Sequence, residues 1–256
     1  MKIGIITFHW ATNYGAVLQS FALQTYLEKM GHDVYIINYC PKSYKKKFLK
    51  IFLNPRIWLI PLKLKDYYKE QEIEKFRKSF LNETSVYESL KSLKDNPPQF
   101  GLYICGSDQI WNPYFTSKGE NNSPTSSYFL DFGDDMVKRV AYAVSFGCIK
   151  YPEEASKISK NYIFNFDAIS VRENSGINIL KSWGVNNAIK VADPTLLIPK
   201  ESYNFNNKSF KKNPKQVFVY LLRNEKKKAQ HLISNLSNKK FEILYADKIF
   251  QDLSLE

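Results

Sequence analysis

The chain has 256 residues, of which 44% are hydrophobic, 24% charged and 15% aromatic, and its net charge is +12. This composition can fill a hydrophobic core, which excludes a wholly disordered chain, and no apolar run approaches the roughly 18 residues of a membrane span. The apolar N-terminus is too short for a secretory signal, so we expect a cytoplasmic protein.

The first part of the chain predicts alternating strands and helices. An apolar run at residues 2–8, helical periodicity up to Gly31 and a second apolar run at 33–39 predict a βαβ unit. A helical excursion is expected over residues 42–80. Further strands and helices then alternate up to residue 192. This pattern predicts an α/β fold, with a doubly wound, Rossmann-like domain over residues 1–198.

The rest of the chain changes character. Residues 199–215 are polar, rich in Asn and Lys, and predict a linker. Strand, helix and strand patterns then follow from residue 216, so residues 216–256 predict the start of a second α/β domain. We expect this second domain to be incomplete.

The positive charge is concentrated in two segments. Residues 41–80 hold 12 Lys and Arg against 4 Asp and Glu, and residues 200–228 hold 9 against 2. Such segments favour anionic partners, although a solvated helix face is the structural alternative. Aromatic residues alternate with Lys in 41–80, which is typical of peripheral contact with an anionic membrane surface or of a helical excursion packed on the main domain. No nucleic-acid-binding motif is present, so nucleic acid is not an expected partner.

Polar residues follow the first predicted strand, at the edge where open α/β sheets bind ligands. His9 and Asn13 can contact a substrate there, and the turn before the helix, with Gly15, can receive an anion. An ordinary turn in which Asn13 caps the helix is equally consistent with the pattern.

A denser motif follows the strand predicted at 100–105. Gly106 permits close backbone approach, and the side chains of residues 107–109 and Asn112 can bind sugar hydroxyl groups. Trp111 can offer a stacking face for a sugar ring. The alternative is a capped turn at the start of a helix.

Two later strand ends complete the pattern. Residues 141–147 end in small and polar side chains, and Arg172 directly follows a strand that is predicted to be buried. Arg172 can clamp a phosphate or carboxylate through two hydrogen bonds, or it can pair with Glu173. The Cys and His residues lack metal-binding spacing, so we expect no metal site.

Together these motifs resemble the polysaccharide pyruvyl transferase family in their order and spacing. The matching stretches are residues 6–9, 13–19, 106–113, 145–147, 170–173, 175–176 and 191–197. The resemblance implies a two-domain architecture resembling GT-B glycosyltransferases. It also implies transfer of a pyruvyl group from phosphoenolpyruvate, as donor substrate, to a pair of saccharide hydroxyl groups in cell-surface polysaccharide biosynthesis. No separate cofactor is implied, and the acceptor can be lipid-linked.

The resemblance also implies roles for individual residues. Arg172 matches a family arginine that clamps the donor, and Asp108 and His9 are the candidates for proton transfer. The substrate-binding candidates are Asn13, Tyr14, Gly15, Gln19, Gly106, Ser107, Gln109, Trp111, Asn112, Ser145, Gly147, Ser175 and Asp193.

The family's second domain contributes a His-containing stretch that we do not find after Thr195, so we expect the catalytic cleft of this chain to be incomplete. Two alternatives stay open at this point. One is a glycosyltransferase that uses a nucleotide sugar on the same architecture, and the other is a non-catalytic saccharide-binding remnant.

Overall fold

The computed structural model describes residues 1–42, 60–205, 214–219, 226–238 and 241–245. Residues 43–59, which belong to the predicted basic segment 41–80, lie outside the described residues. The chain divides into two compact units, Met1–Ser202 and Tyr203–Glu256, and each is described by itself. The division falls inside the segment predicted as a linker.

The first unit contains a six-stranded parallel sheet. Its spatial order is β2-β1-β3-β4-β5-β6, and every neighbouring pair runs parallel. Four of the five residues of β1 are buried, as the continuous apolar run predicts for a strand covered on both faces. The strands are β1 (Lys2–Ile6), β2 (Asp33–Ile36), β3 (Leu102–Cys105), β4 (Lys138–Val144), β5 (Ala168–Val171) and β6 (Ile189–Lys190).

Residues 82–87 extend the sheet beyond β2. Ile36 and Tyr39 form isolated parallel bridges with Glu83 and Tyr87. If this segment counts as the third strand along the chain, the spatial order begins 3-2-1-4-5-6, as in a Rossmann sheet. The structure is therefore consistent with the predicted Rossmann-like α/β fold.

In the described part of the first unit, six helices connect the strands. They are α1 (Tyr14–Lys29), α2 (Ile60–Phe80), α3 (Leu90–Asp95), α4 (Pro113–Lys118), α5 (Glu153–Ile163) and α6 (Asn174–Ser182). α2 is the described part of the predicted helical excursion. α3 and α4 were not predicted, because six residues are too few to show helical periodicity.

The second unit contains a βαβ arrangement in the predicted order. β7 (Gln216–Val219) and β8 (Glu242–Tyr245) pair in parallel, and α7 (Lys226–Asn238) lies between them in the chain. Within the ranges that the structure describes, no helix is long and apolar enough to cross a membrane.

Sheet order determines where a ligand site can form in the first unit. β1 and β3 are neighbours, and the chain leaves β1 toward β2 but leaves β3 toward β4. This reversal opens a crevice at the carboxyl ends of the two strands, which is where doubly wound sheets bind ligands. The polar loops that follow β1 and β3 both start at this crevice.

Candidate active site

Asp193, which follows β6, is the centre of an ionic cluster. Its Oδ2 accepts hydrogen bonds from Arg172 Nη1 at 2.8 Å and from Ser107 Oγ at 2.9 Å. Its Oδ1 accepts from the backbone N and the hydroxyl of Thr195, at 3.0 and 2.8 Å. Burial acts to raise the pKa of Asp193, but the hydrogen bonds from Thr195, Arg172 and Ser107 outweigh it and the pKa is lowered. Asp193 is therefore an ionised anchor whose two oxygens are already occupied by protein donors.

Arg172 follows β5 and is held at the edge of the site. Besides its contact with Asp193, its Nε lies 3.4 Å from Glu173 Oε1, so the predicted pairing with Glu173 is present. The side chain is 25% exposed. Within the described part of the chain, Arg172 Nη2 has no hydrogen-bond partner. Arg172 is therefore fixed in direction and retains N–H groups for an anion.

The start of α6 lies directly after Arg172. No side chain among the described residues caps the backbone N–H groups at this end of the helix, where Glu173 is the cap residue. Ser175 lies in the first turn of α6 and is half-buried. Uncapped N–H groups carry partial positive charge, so this helix end adds to the positive character around Arg172.

Asp108 occupies a strained position beside this cluster. Its φ of +90° lies in the left-handed region, which non-glycine residues adopt at a cost of about 1–3 kcal/mol. The Asp108 carbonyl accepts from Ser145 N at 2.9 Å, and its Oδ1 accepts from Gln109 N at 2.8 Å. Burial raises the pKa of Asp108, the charge of Arg172 lowers it, and the charge of Asp193 raises it, with a net increase. Asp108 is thus a carboxyl group that holds a proton more readily than usual.

The loop after β3 brings two amide side chains together, and the loop after β4 packs against them. Asn112 Nδ2 donates to Gln109 Oε1 at 3.2 Å, and Asn112 Oδ1 accepts from Tyr114 N at 2.9 Å to cap α4. Gly147 faces the pair with a φ of +62°. Ser145 supports this arrangement, because its Oγ accepts from Gly147 N at 3.1 Å. The structure therefore brings together four residues that the sequence analysis named as substrate-binding candidates: Gln109, Asn112, Ser145 and Gly147.

The loop after β1 is enclosed by the protein. His9 is 1% exposed, with Nδ1 3.1 Å from the Thr7 carbonyl and Nε2 3.2 Å from Asn38 Oδ1. Burial lowers the pKa of His9 to about 4, so the imidazole is neutral near pH 7. Asn13 caps α1, accepting from Gly15 N at 2.8 Å and Ala16 N at 3.3 Å. His9 and Asn13 thus have structural partners, and the capped turn is the arrangement observed.

Arg77 of α2 fixes this loop, although it was not among the predicted site residues. Its side chain is about 8% exposed, and its guanidinium group donates to the His9 and Trp10 carbonyls at 3.4 and 3.2 Å. Arg77 Nη2 also donates to Glu70 Oε1 at 2.7 Å and Glu74 Oε2 at 2.6 Å. Glu70, Glu74 and Arg77 are spaced four and three residues apart, which places them on one face of a helix. This spacing could have indicated the cluster from the sequence.

Three further predicted residues lie beneath the surface. Gln19 is 2% exposed and donates from Nε2 to Thr7 Oγ1 at 2.8 Å, and that hydroxyl donates to the Ser107 carbonyl at 2.7 Å. Gly106 passes close to β1, where an added Cβ would lie 3.2 Å from Thr7 Cβ. Trp111 is fully buried, stacks on Phe129 and donates to the Tyr128 carbonyl, so its ring packs in the core. These residues support the loops that carry the exposed groups.

Tyr14 is a predicted residue that is open to solvent on the β1 side. It is 42% exposed at the first position of α1, and Lys69 Nζ lies 4.9 Å from its ring centroid. Across the described ranges, no group of three or more His, Cys, Asp or Glu side chains could hold a metal ion.

The fold and these side chains define a class of protein. A Rossmann-like sheet whose carboxyl edge presents an anchored arginine, a protonatable carboxyl group and free amide donors is typical of an enzyme that acts on an anionic small molecule.

Comparison with known families makes this class specific. A family model described as polysaccharide pyruvyl transferase matches residues 13–253. The chain therefore belongs to the polysaccharide pyruvyl transferase family, whose members are transferases with a polysaccharide acceptor. The match continues into the second unit, beyond the residues 1–198 over which the motifs were recognised. A search of curated proteins found no match to the chain.

Proposed function

We propose that the chain transfers a pyruvyl group from phosphoenolpyruvate to a pair of saccharide hydroxyl groups in the biosynthesis of a cell-surface polysaccharide. One observation carries this assignment: two complementary groups lie at neighbouring strand ends. Arg172 is a cation held in place by Asp193, and Asp108 is a carboxyl group whose pKa is raised. A donor with both a phosphate and a carboxylate needs a fixed cation, and its enol carbon needs an acid. Family membership supplies the reaction class to which these groups are assigned.

The chemistry can be written as a balanced sequence. A general acid protonates the methylene carbon of phosphoenolpyruvate, which leaves an oxocarbenium-like centre at the neighbouring carbon. A saccharide hydroxyl oxygen bonds to that carbon and its proton passes to a base. The bond from this carbon to the phosphate oxygen then breaks and inorganic phosphate leaves. A second hydroxyl group closes the ketal and releases the second proton.

Arg172 is assigned to the anionic donor. Its Nη2 group makes no hydrogen bond within the described residues and can donate to a phosphate or carboxylate oxygen. The uncapped start of α6 lies next to it and favours negative charge. Asp193 and Ser107 then act as positioning residues, because their hydrogen bonds fix the direction of Arg172 rather than facing a ligand.

Asp108 is assigned to proton transfer. An acid works best when its pKa approaches the working pH, and burial raises the pKa of Asp108 in that direction. His9 is assigned to holding the loop after β1, because both of its ring nitrogens face protein oxygens and its pKa is about 4.

The test is phosphate release from phosphoenolpyruvate. We expect release when a chain that also carries the family's His-containing stretch is incubated with phosphoenolpyruvate and a lipid-linked or nucleotide-linked glycan, and none when that chain carries Arg172→Ala. Absence of release from such a chain with every acceptor would overturn the proposal. Thermal shift then separates the alternative, because stronger stabilisation by a UDP-sugar than by phosphoenolpyruvate would indicate a nucleotide-sugar glycosyltransferase.

We also propose that the acceptor is lipid-linked and reached by peripheral contact with an anionic membrane surface on the cytoplasmic side. The supporting feature is the basic composition of residues 41–80, with 12 Lys and Arg against 4 Asp and Glu. Sedimentation with liposomes should increase with the fraction of anionic lipid and decrease with salt. Sedimentation that is the same for neutral and anionic liposomes would contradict this.

A further inference from the structure

The amide pair Gln109–Asn112 forms a neutral polar surface next to the ionic cluster. Gln109 is exposed and Asn112 is half-buried, and their side chains meet at 3.2 Å. The described structure shows no charged side chain hydrogen-bonded to either amide. This neutral surface differs in chemistry from the Arg172–Asp193 pair, although one tripeptide, Ser107 to Gln109, connects the two regions.

Several hydrogen-bonding groups of the pair are unused. Asn112 uses Oδ1 to cap α4 and one N–H to reach Gln109 Oε1. Among the residues that the structure describes, no partner is found for Gln109 Nε2 or for the second N–H of Asn112. Three N–H donors are therefore available within one small area. Amide donors of this kind bind hydroxyl oxygens without the strong preference for anions that a guanidinium group has.

Gly147 lies directly against the two amides. A Cβ atom added to Gly147 would lie 2.5 Å from Gln109 Oε1 and 2.6 Å from Asn112 Nδ2, which is closer than real Cβ contacts. Its φ of +62° also favours glycine. Any other residue would therefore displace the amides or strain the loop after β4.

An exposed aromatic residue follows the amide pair closely in the chain. Tyr114 follows Asn112 by two residues at the start of α4 and is 56% exposed. Trp111, the residue from which the sequence led us to expect a stacking face, is fully buried. Tyr114 is therefore the aromatic residue of this motif that can contact the apolar face of a sugar ring.

The position of the pair relative to Asp108 matters for the reaction. Gln109 N donates to Asp108 Oδ1 at 2.8 Å, so the amide pair and the carboxyl group belong to one loop. We infer that Gln109, Asn112 and Tyr114 form the acceptor subsite, which binds a neutral hexose through its hydroxyl groups and one ring face. This inference rests on the proposed function, because that function places the anionic donor at Arg172 and leaves the amide pair for the acceptor.

Saturation-transfer NMR tests the subsite without turnover. The probes are p-nitrophenyl β-hexosides of gluco, galacto and manno configuration, added to the full chain. We expect signals from the sugar-ring protons of at least one probe with the unchanged protein. Gln109→Leu should weaken its binding by at least about fivefold, as expected for the loss of two hydrogen bonds. Asn112→Asp keeps the helix cap, removes both donors and should weaken binding in the same direction.

The matched control is Gln99→Leu, which removes an exposed amide before β3, at the opposite edge of the sheet. We expect this variant to bind the hexoside as the unchanged protein does. Hexoside binding that is unaltered in Gln109→Leu, or absent for all three probes with the unchanged protein, would overturn the acceptor subsite.

Stabilisation by phosphoenolpyruvate, measured on the same samples, separates this inference from the proposed function. Gln109→Leu should retain the thermal shift with phosphoenolpyruvate, and loss of that shift would place Gln109 in the donor site and overturn the inference. If the unchanged protein shows no shift with phosphoenolpyruvate, the proposed donor is wrong, while the hexoside result still decides the subsite.

Discussion

The loops after β1 and β3 border the same crevice but use their polar residues differently. In the first loop, His9 is bonded on both ring nitrogens, Asn13 caps α1, and Arg77 binds two backbone carbonyls. In the second loop, Asp108 has a strained backbone and a raised pKa. Its neighbour Gln109 is exposed. Polar residues at a strand end can therefore build the loop or face a ligand, and only their partners distinguish the two uses.

The largest expected effect tests whether Arg77 holds the first loop. Arg77→Met should lower the free energy of unfolding by about 3 kcal/mol, because it removes a buried guanidinium group and leaves the half-buried Glu70 carboxylate without that cation. Lys78→Met is the matched control, since Lys78 is exposed and pairs only at the surface with Glu74. It should change the free energy by no more than about 0.5 kcal/mol. Equal urea unfolding curves for the two variants would show that Arg77 does not hold the loop.

The next effect concerns the anion site beyond the second loop. Arg172→Lys retains the charge but loses the planar guanidinium group that can bond Asp193 and an anion together. We expect phosphoenolpyruvate to bind at least about tenfold more weakly, as for the loss of one charged hydrogen bond. Isothermal titration calorimetry measures this change. An unaltered affinity would remove Arg172 from the donor site.

A smaller effect should reveal the strain at Asp108. Asp108→Gly removes the Cβ atom from a residue with φ of +90° and should raise the free energy of unfolding by about 1 kcal/mol near pH 7. A stability decrease of this size would argue against strain at this position.

The pH dependence of stability gives a second view of Asp108. Its pKa is raised in the folded state, so protonation favours folding and this contribution is lost as the pH rises through the folded-state pKa. Asp108→Asn should therefore gain stability relative to the unchanged protein as the pH rises from about 4 to 7. Thermal unfolding across that range measures the difference, and a constant difference would contradict the raised pKa.

The smallest effect tests the cap of the first loop. Asn13→Ala should cost about 1 kcal/mol of stability by removing the acceptor for Gly15 N and Ala16 N, and Asn13→Asp should retain most of it. Both variants should bind phosphoenolpyruvate normally in thermal-shift measurements. A loss of phosphoenolpyruvate binding in either variant, without a matching loss of stability, would place the first loop in the donor site. It would contradict the purely structural role given to that loop.

Much of the fold could be predicted from the sequence because its signals are local. The apolar runs and helical periodicity of residues 2–39 correspond to β1, α1 and β2, and Gly31 has the left-handed φ of +85° expected after a helix. The edge segment 82–87 could not be predicted, because its pairing with β2 depends on a fold-back through α2 rather than on its own sequence.

The residues of the site could be predicted from the sequence, but their contacts could not, because the partners of each side chain come from distant parts of the chain. Arg172 and Asp193 are 21 residues apart and meet because β5 and β6 are adjacent. Residue type alone showed that Trp111 could stack on a ligand, but not that Phe129 and the Tyr128 carbonyl would enclose it. Similarly, nothing within residues 8–15 indicated that Asn38 would face the His9 ring.

Rates of phosphate release from His9→Gln and Asp108→Asn test the contrast between the two loops most directly. With phosphoenolpyruvate and an acceptor glycan, we expect Asp108→Asn to lose at least about 100-fold in rate, as for a missing general acid. We expect His9→Gln to remain within about tenfold of the unchanged protein, because His9 is enclosed and neutral. A large loss in His9→Gln together with a nearly unchanged rate in Asp108→Asn would contradict the assignment of proton transfer to the loop after β3.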